Sequence, residues 1–124
     1  MVQRILISPE ATELISRLKQ DYPELMFHQS GGCCDGSSPM CFEKGEFKLG
    51  EVDVCLGMID GCEFWMSRDQ FEYWKHTQLT LDTTKGRGGG FSLEVPTGFR
   101  FMIHSRVFSE SEYVNLAEVH FFSE

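Results

Sequence analysis

The chain reads as a β-rich α+β domain, and three observations point there. Only two stretches carry a full set of helix-start signals, and both are short. Most of the remaining chain falls into short runs rich in Val, Ile, Phe and Thr, parted by Gly, Pro and Asp-Gly turns. The two kinds of element do not alternate, so a doubly wound parallel sheet does not fit. Two short helices on mixed or antiparallel sheets do. With 124 residues, 41% of them hydrophobic and eleven Phe, residues 1–124 are expected to form one domain with one core.

Val2 to Ile7 reads as a short first strand. Ser8-Pro9-Glu10 then opens a helix: Ser as N-cap, Pro at the first helical position, an acid near the positive dipole end. Ala11, Leu14, Ile15 and Leu18 recur at helical spacing and predict its buried face. Asp21-Tyr22-Pro23 stops it, because the residue before Pro is biased out of the α region. Glu24 to Ser30 reads as a strand, and Cys41 to Leu49 as short strand pieces around Lys44-Gly45.

Val52 to Met66 reads as a hairpin turning at Asp60-Gly61, the pair that accepts positive φ at both positions. A regular ladder from that turn pairs Ile59 with Cys62 and Cys55 with Met66. It puts Cys55 and Cys62 on one face, roughly 13 Å apart at about 3.3 Å per residue. Both are expected as core thiols. Ser67-Arg68-Asp69-Gln70 predicts a second helix start, with Met66 and Phe71 as its hydrophobic staple. Strands are expected over Gln78–Thr83, Phe91–Val95 and Phe99–Phe108, with Pro96-Thr97-Gly98 as a turn. Ser109 to Glu112 could cap a helix, yet the Phe-rich segment Tyr113 to Phe122 reads as a strand.

A formal net charge of −8 excludes a phosphate-binding surface, so no nucleic-acid partner is expected. No apolar run spans a membrane and no signal peptide is recognised. The expected location is the cytoplasm, where thiols stay reduced. Five cysteines cannot all pair within one chain, and the adjacent Cys33-Cys34 makes poor disulfide geometry. Metal, redox or core roles are left for these thiols.

Chemistry concentrates in one loop, where Cys33, Cys34 and Cys41 fall within nine positions among Gly, Ser and Pro. Thiolates are natural ligands for zinc, copper(I) and iron–sulfur clusters. The spacing is not that of a zinc knuckle and no Cys-x-x-Cys occurs, so the three cysteines would need a fourth ligand from elsewhere, His104 being one candidate, or a cluster shared between subunits. His28 reads as a sheet side chain. A thiol nucleophile, Cys34 with His28 or His104, is the catalytic alternative, but Asp35 beside it opposes a thiolate. The glycine run 86–90 leads into Phe91-Ser92-Leu93 rather than a helix, which suits a turn and not a phosphate loop. No Gly-x-Ser-x-Gly elbow occurs.

The stretch Phe27-His28-Gln29-Ser30-Gly31-Gly32-Cys33-Cys34-Asp35-Gly36-Ser37-Ser38-Pro39-Met40-Cys41 resembles a small bacterial family, domain of unknown function 779, and the likeness runs nearly end to end. Members of that family are often encoded beside aldehyde dehydrogenases, which implies an accessory role. The layout also resembles the HesB-like A-type carriers of iron–sulfur assembly. Ser8-Pro9-Glu10-Ala11, Gly31-Gly32-Cys33-Cys34-Asp35-Gly36, the helix from Ser67, Gly88-Gly89-Gly90-Phe91 and Val95-Pro96 carry that likeness, over roughly Ile5 to Pro96. It implies a HesB-like fold, a cluster held through Cys34, and a homo-oligomer. The carriers' downstream Cys-Gly-Cys has no counterpart near Phe101-Met102-Ile103-His104, since the last cysteine is Cys62. Cys33 and Cys41, with His104, are the expected replacements.

The resulting expectation is a non-catalytic, thiol-rich accessory protein that binds zinc or an iron–sulfur cluster. The alternatives are an interaction protein for an aldehyde dehydrogenase, or a small thiol-dependent enzyme.

Overall fold

The computed structural model describes residues 1–32, 36–88 and 92–121. The chain is α+β and strand-rich, with eight strands in two mixed sheets among the described residues. Strand β1 (Ile5–Ile7) runs into helix α1 (Pro9–Lys19). Ser8 caps the helix as its composition demands: Oγ accepts from the Ala11 amide at 3.0 Å. The same hydroxyl donates to Asp82 Oδ1 at 2.8 Å, which ties the helix start to the neighbouring strand. Ala11, Leu14, Ile15 and Leu18 are the buried face, as the spacing predicts.

Strands β2 (Leu25–Gln29) and β3 (Met40–Glu43) flank the cysteine loop and pair antiparallel, with Phe27 opposite Cys41. The hairpin β4 (Asp53–Ile59) and β5 (Cys62–Ser67) turns at Asp60 and Gly61, with φ of 48° and 78°. Helix α2 (Arg68–Trp74) starts at Ser67, whose Oγ accepts from the Gln70 amide at 3.2 Å. Strands β6 (Thr77–Lys85) and β7 (Phe99–Val107) form the longest antiparallel pair. Helix α3 (Glu110–Tyr113) and strand β8 (His120–Phe121) end the described chain. The sheet orders are β1-β6-β7 and β3-β2-β5-β4-β8. Pairs β1–β6 and β2–β5 are parallel.

One apolar cluster joins the inner faces of both sheets to α1. Phe27 of the larger sheet meets Phe101 of the smaller edge-to-face, with ring centroids 4.9 Å apart. The opposite face of the larger sheet carries a second cluster of Met26, Cys55 and Trp65, covered by Phe42, Phe47 and Leu49. No described helix is long and apolar enough to cross a membrane.

Four expectations need correction. Only Met40–Glu43 is strand around Lys44-Gly45; Phe47 lies in the loop beyond it, stacked on His28. Cys55 pairs with Trp65, not Met66, because a bulge between Cys55 and Gly57 inserts an extra residue. The bulge places Cys55 in the outer cluster and Cys62 in the inner one, so the two thiols sit on opposite faces. Both are buried, as expected. The segment after the glycine run is not a strand in its described part. Residues 92–94 form a turn leading into a 3₁₀ turn at Val95–Thr97, because their polar groups bond across to β3 and β7. Finally, Tyr113 belongs to a third, one-turn helix, and only His120–Phe121 is strand in the described part of the last segment. Ser109 and Glu112 complete a capping box there, and that local bond outweighs the β preference of the residues.

The bulge rests on Gly57. Its φ is +150°, and a Cβ would lie 3.2 Å from Ile5 Cγ2. Gly57→Ala is expected to lose about 1–3 kcal/mol of stability in urea denaturation. Gly45→Ala, at φ +99° with open space around it, carries the backbone strain without the contact and should lose less. Equal losses would show that Ile5 does not press on the bulge.

Candidate functional site

The cysteine loop leaves β2 at Gln29, whose side chain is 1% exposed. Its Nε2 donates to the Gly31 carbonyl, and its Oε1 has no partner among the described residues. Gly32 holds φ +94°, where a Cβ would lie 2.8 Å from Ser37 Cβ. Glycine is required at that foot of the loop, because Ser37 at the other foot closes onto it. Gly36 and Ser37 then pair with β7. The Gly36 amide donates to the Ile103 carbonyl at 2.9 Å, and the Ile103 amide donates to the Ser37 carbonyl at 3.0 Å. Arg100 Nη1 reinforces the join through the Gly36 carbonyl at 2.8 Å and Ser38 Oγ.

This join sets the loop beside His104, the residue after Ile103. The imidazole is half exposed, and its Nε2 lies 2.9 Å from Asp82 Oδ2. Burial pushes the Asp82 carboxyl up, but bonds from Ser8, the Thr83 amide and His104 outweigh that and hold it below its usual range. A histidine oriented by a carboxylate on one ring nitrogen is the usual arrangement of a metal-ligating imidazole.

Cys41 sits elsewhere. It is 0% exposed in the inner core, its amide donating to Ser92 Oγ at 2.8 Å and its carbonyl accepting from the Leu93 amide at 3.0 Å. Burial pushes its thiol up, and Glu94 and Cys62 push the same way. Ile103 points into that same core, so its neighbour His104 points away from it. The structure therefore does not bring Cys41 and His104 together. Cys33 and Cys34 lie outside the described residues. No group of three or more metal-ligating side chains clusters among the described residues.

A second constellation lies on the outer face at the end of β2. His28 is 4% exposed. Its Nδ1 is 2.7 Å from Ser30 Oγ, and its Nε2 is 2.7 Å from Asp53 Oδ1. Asp53 Oδ2 accepts the Gly50 amide at 3.0 Å. Phe47 stacks on the imidazole with centroids 4.2 Å apart. Ser30, at the far end, is exposed.

The model of the family described as Domain of unknown function (DUF779) matches residues 14–107. The chain belongs to this family. The match takes in the cysteine loop, Cys41, His104 and the Ser30–His28–Asp53 line, and leaves out β1 and the last described elements. No curated protein and no solved structure matches significantly. Membership thus rests on the family model, and none of these comparisons extends it to the HesB-like carriers.

Sequence reasoning missed Ser30 and Asp53. The spacing His28-x-Ser30 on a strand does place both on one face, a signal that could have been read. Asp53 lies 25 residues away and has no local signal. Glu94 was missed as well. It is 0% exposed, accepts from Ser92 Oγ, and lies 3.4 Å from the Phe101 amide.

Burial raises the Glu94 carboxyl above its usual range, and the bonds from Ser92 and backbone amides only partly offset this. The folded state then holds a proton that the unfolded chain has already lost. Stability should fall as pH rises from the usual carboxylate value through the raised one, with no dependence from this group on either side. Thermal melts between about pH 4 and pH 8 should show this slope in the wild type and a flatter profile in Glu94→Gln. Parallel profiles would remove Glu94 as the cause.

Proposed function

We propose that this chain is a thiol-ligated metal-binding accessory protein, with Cys33, Cys34 and His104 as its ligands and zinc as its metal. The observation that carries the reading is the join of Gly36 and Ser37 to Ile103. It fixes the exit of the Cys33-Cys34 loop one residue from an imidazole already oriented by Asp82. Mixed sulfur and nitrogen donors suit zinc, whereas a protein-bound iron–sulfur cluster commonly takes four thiolates. Cys41 is left out of the proposed set, because a ligand thiol must lose its proton and burial opposes that.

As ligands, Cys33 and Cys34 would supply charge and softness, and His104 would supply its other ring nitrogen. Asp82 would hold the ring and raise its basicity. As client we propose an aldehyde dehydrogenase, on the strength of the genomic company that members of this family keep.

Protein purified without oxygen should carry about one zinc per chain by elemental analysis, held by three protein ligands with the fourth position open. Cys34→Ser and His104→Ala should lose the metal, and Cys41→Ala should keep it. Asp82→Asn should weaken zinc binding about 10-fold or more. Metal-free wild type with all five thiols titrating would sink the reading. Co-purification with the dehydrogenase tests the client separately.

A further inference from the structure

The line Ser30–His28–Asp53 is independent of the proposed metal ligands and carries a different chemistry. We propose that Ser30 is an activated nucleophile of an acyl-transfer site, with His28 as its general base and Asp53 as the positioning residue behind the imidazole. The substrate class is an ester or thioester with an apolar acyl chain.

The geometry supports each role. Both links of the line are 2.7 Å long. A carboxylate only accepts, so Asp53 Oδ1 places the ring proton on Nε2. In a neutral imidazole so oriented, Nδ1 carries the lone pair and accepts the Ser30 hydroxyl proton. That is the protonation state in which a serine is primed for attack. The carboxylate takes Nε2 and the hydroxyl Nδ1, the reverse of the serine-protease order. The chemistry needs only that they occupy opposite ring nitrogens. Asp53 is itself held by the Gly50 amide at 3.0 Å. Phe47, stacked on the ring, fixes its plane. The buried end of the line is thus rigid and the hydroxyl end is open to substrate.

The acyl chain has a place to go. Phe47 is also a wall of a cavity of about 1280 Å³ on this face of the sheet. Met26, Leu49, Met58 and Trp65 line it further. Met26 and His28 are alternate residues of β2 and so share a face. Ser30, His28 and Asp53 do not line the cavity; Phe47 stands between it and the imidazole, and the proposed seat of the acyl chain lies past that ring.

The step balances within these groups and water. Ser30 Oγ bonds to the acyl carbon as its proton passes to Nδ1 of His28. The bond to the leaving oxygen or sulfur then breaks, and His28 returns the proton to that atom. Water repeats the sequence on the acyl-serine, releasing the carboxylic acid and restoring Ser30.

The test uses the full chain, a fluorophosphonate probe and p-nitrophenyl octanoate. Mass spectrometry should locate one phosphonyl adduct on Ser30, and Ser30→Ala, a change at an exposed strand end, should lose both the adduct and ester hydrolysis. Asp53→Asn should slow the maximal inactivation rate by about 100-fold or more, with the half-saturating probe concentration unchanged. A role confined to structure would not split the two constants that way. The octanoyl ester should exceed the acetyl ester in kcat/KM by about 10-fold or more, given several extra buried methylenes. Absence of an adduct, an adduct that survives Ser30→Ala, or an unchanged rate in Asp53→Asn would overturn the assignment, and His28 would then be a strand tie only. Equal rates for the two esters would overturn the seating of the chain. Zinc content distinguishes this site from the loop: Ser30→Ala should keep the metal, and Cys34→Ser should keep the adduct.

Discussion

Two backbone hydrogen bonds at Ile103 hold the candidate region together. Strand β7 belongs to the three-stranded sheet, while the loop that bonds to it starts and ends in the five-stranded one. The pairing of Gly36 and Ser37 with Ile103 therefore joins the two sheets at their edges, and it also covers a strand edge that would otherwise present free amides. A second join runs beside it. Ser92 and Leu93 bond to Cys41 on β3, and Glu94 reaches the Phe101 amide on β7. Between these joins, Phe27 and Phe101 pack edge-to-face. Polar edge contacts set the relative position of the sheets, and apolar burial between them supplies the main stabilising free energy.

The larger sheet uses its two faces differently. Its inner face contributes Phe27, Phe64 and Met66 to the main core. Its outer face carries Met26, Cys55 and Trp65 under a loop that brings Phe47 over His28. The bulge at Gly57 sorts the hairpin thiols between these faces. Burial raises both thiols, so each behaves as a small apolar side chain whose proton stays in place. The thiols with a prospect of ligand chemistry are thereby narrowed to the loop pair Cys33 and Cys34.

Much of the fold was legible because its signals are local. The Ser8 cap, the α1 face, the Asp60-Gly61 turn and the Ser67 cap each depend on a few adjacent residues, and each formed as read. The errors have three origins, two of them long-range and one local. A bulge displaces the register of every residue beyond it, and it sits at Gly57, where a Cβ would crowd Ile5. The stretch Phe91–Val95 reads as a strand, yet bonds from Cys41 to Ser92 and from Phe101 to Glu94 hold residues 92–94 in a turn. The last segment favours strand by composition, but a capping box took its first turn.

For the candidate sites the division is similar. The sequence by itself determined that thiols concentrate in one glycine-rich loop and that His28 and Ser30 share a strand face, because spacing along the chain decides both. It also determined family membership, through the pattern spanning residues 14–107. Only the tertiary structure decided which partners these residues meet. Cys41 turned into the core, His104 came to stand beside the loop exit with Asp82 behind it, and Asp53 closed the line from Ser30. Each of those outcomes depends on strand pairing between residues far apart in the chain. Such pairing is decided by total burial and edge satisfaction, which no short stretch of sequence encodes.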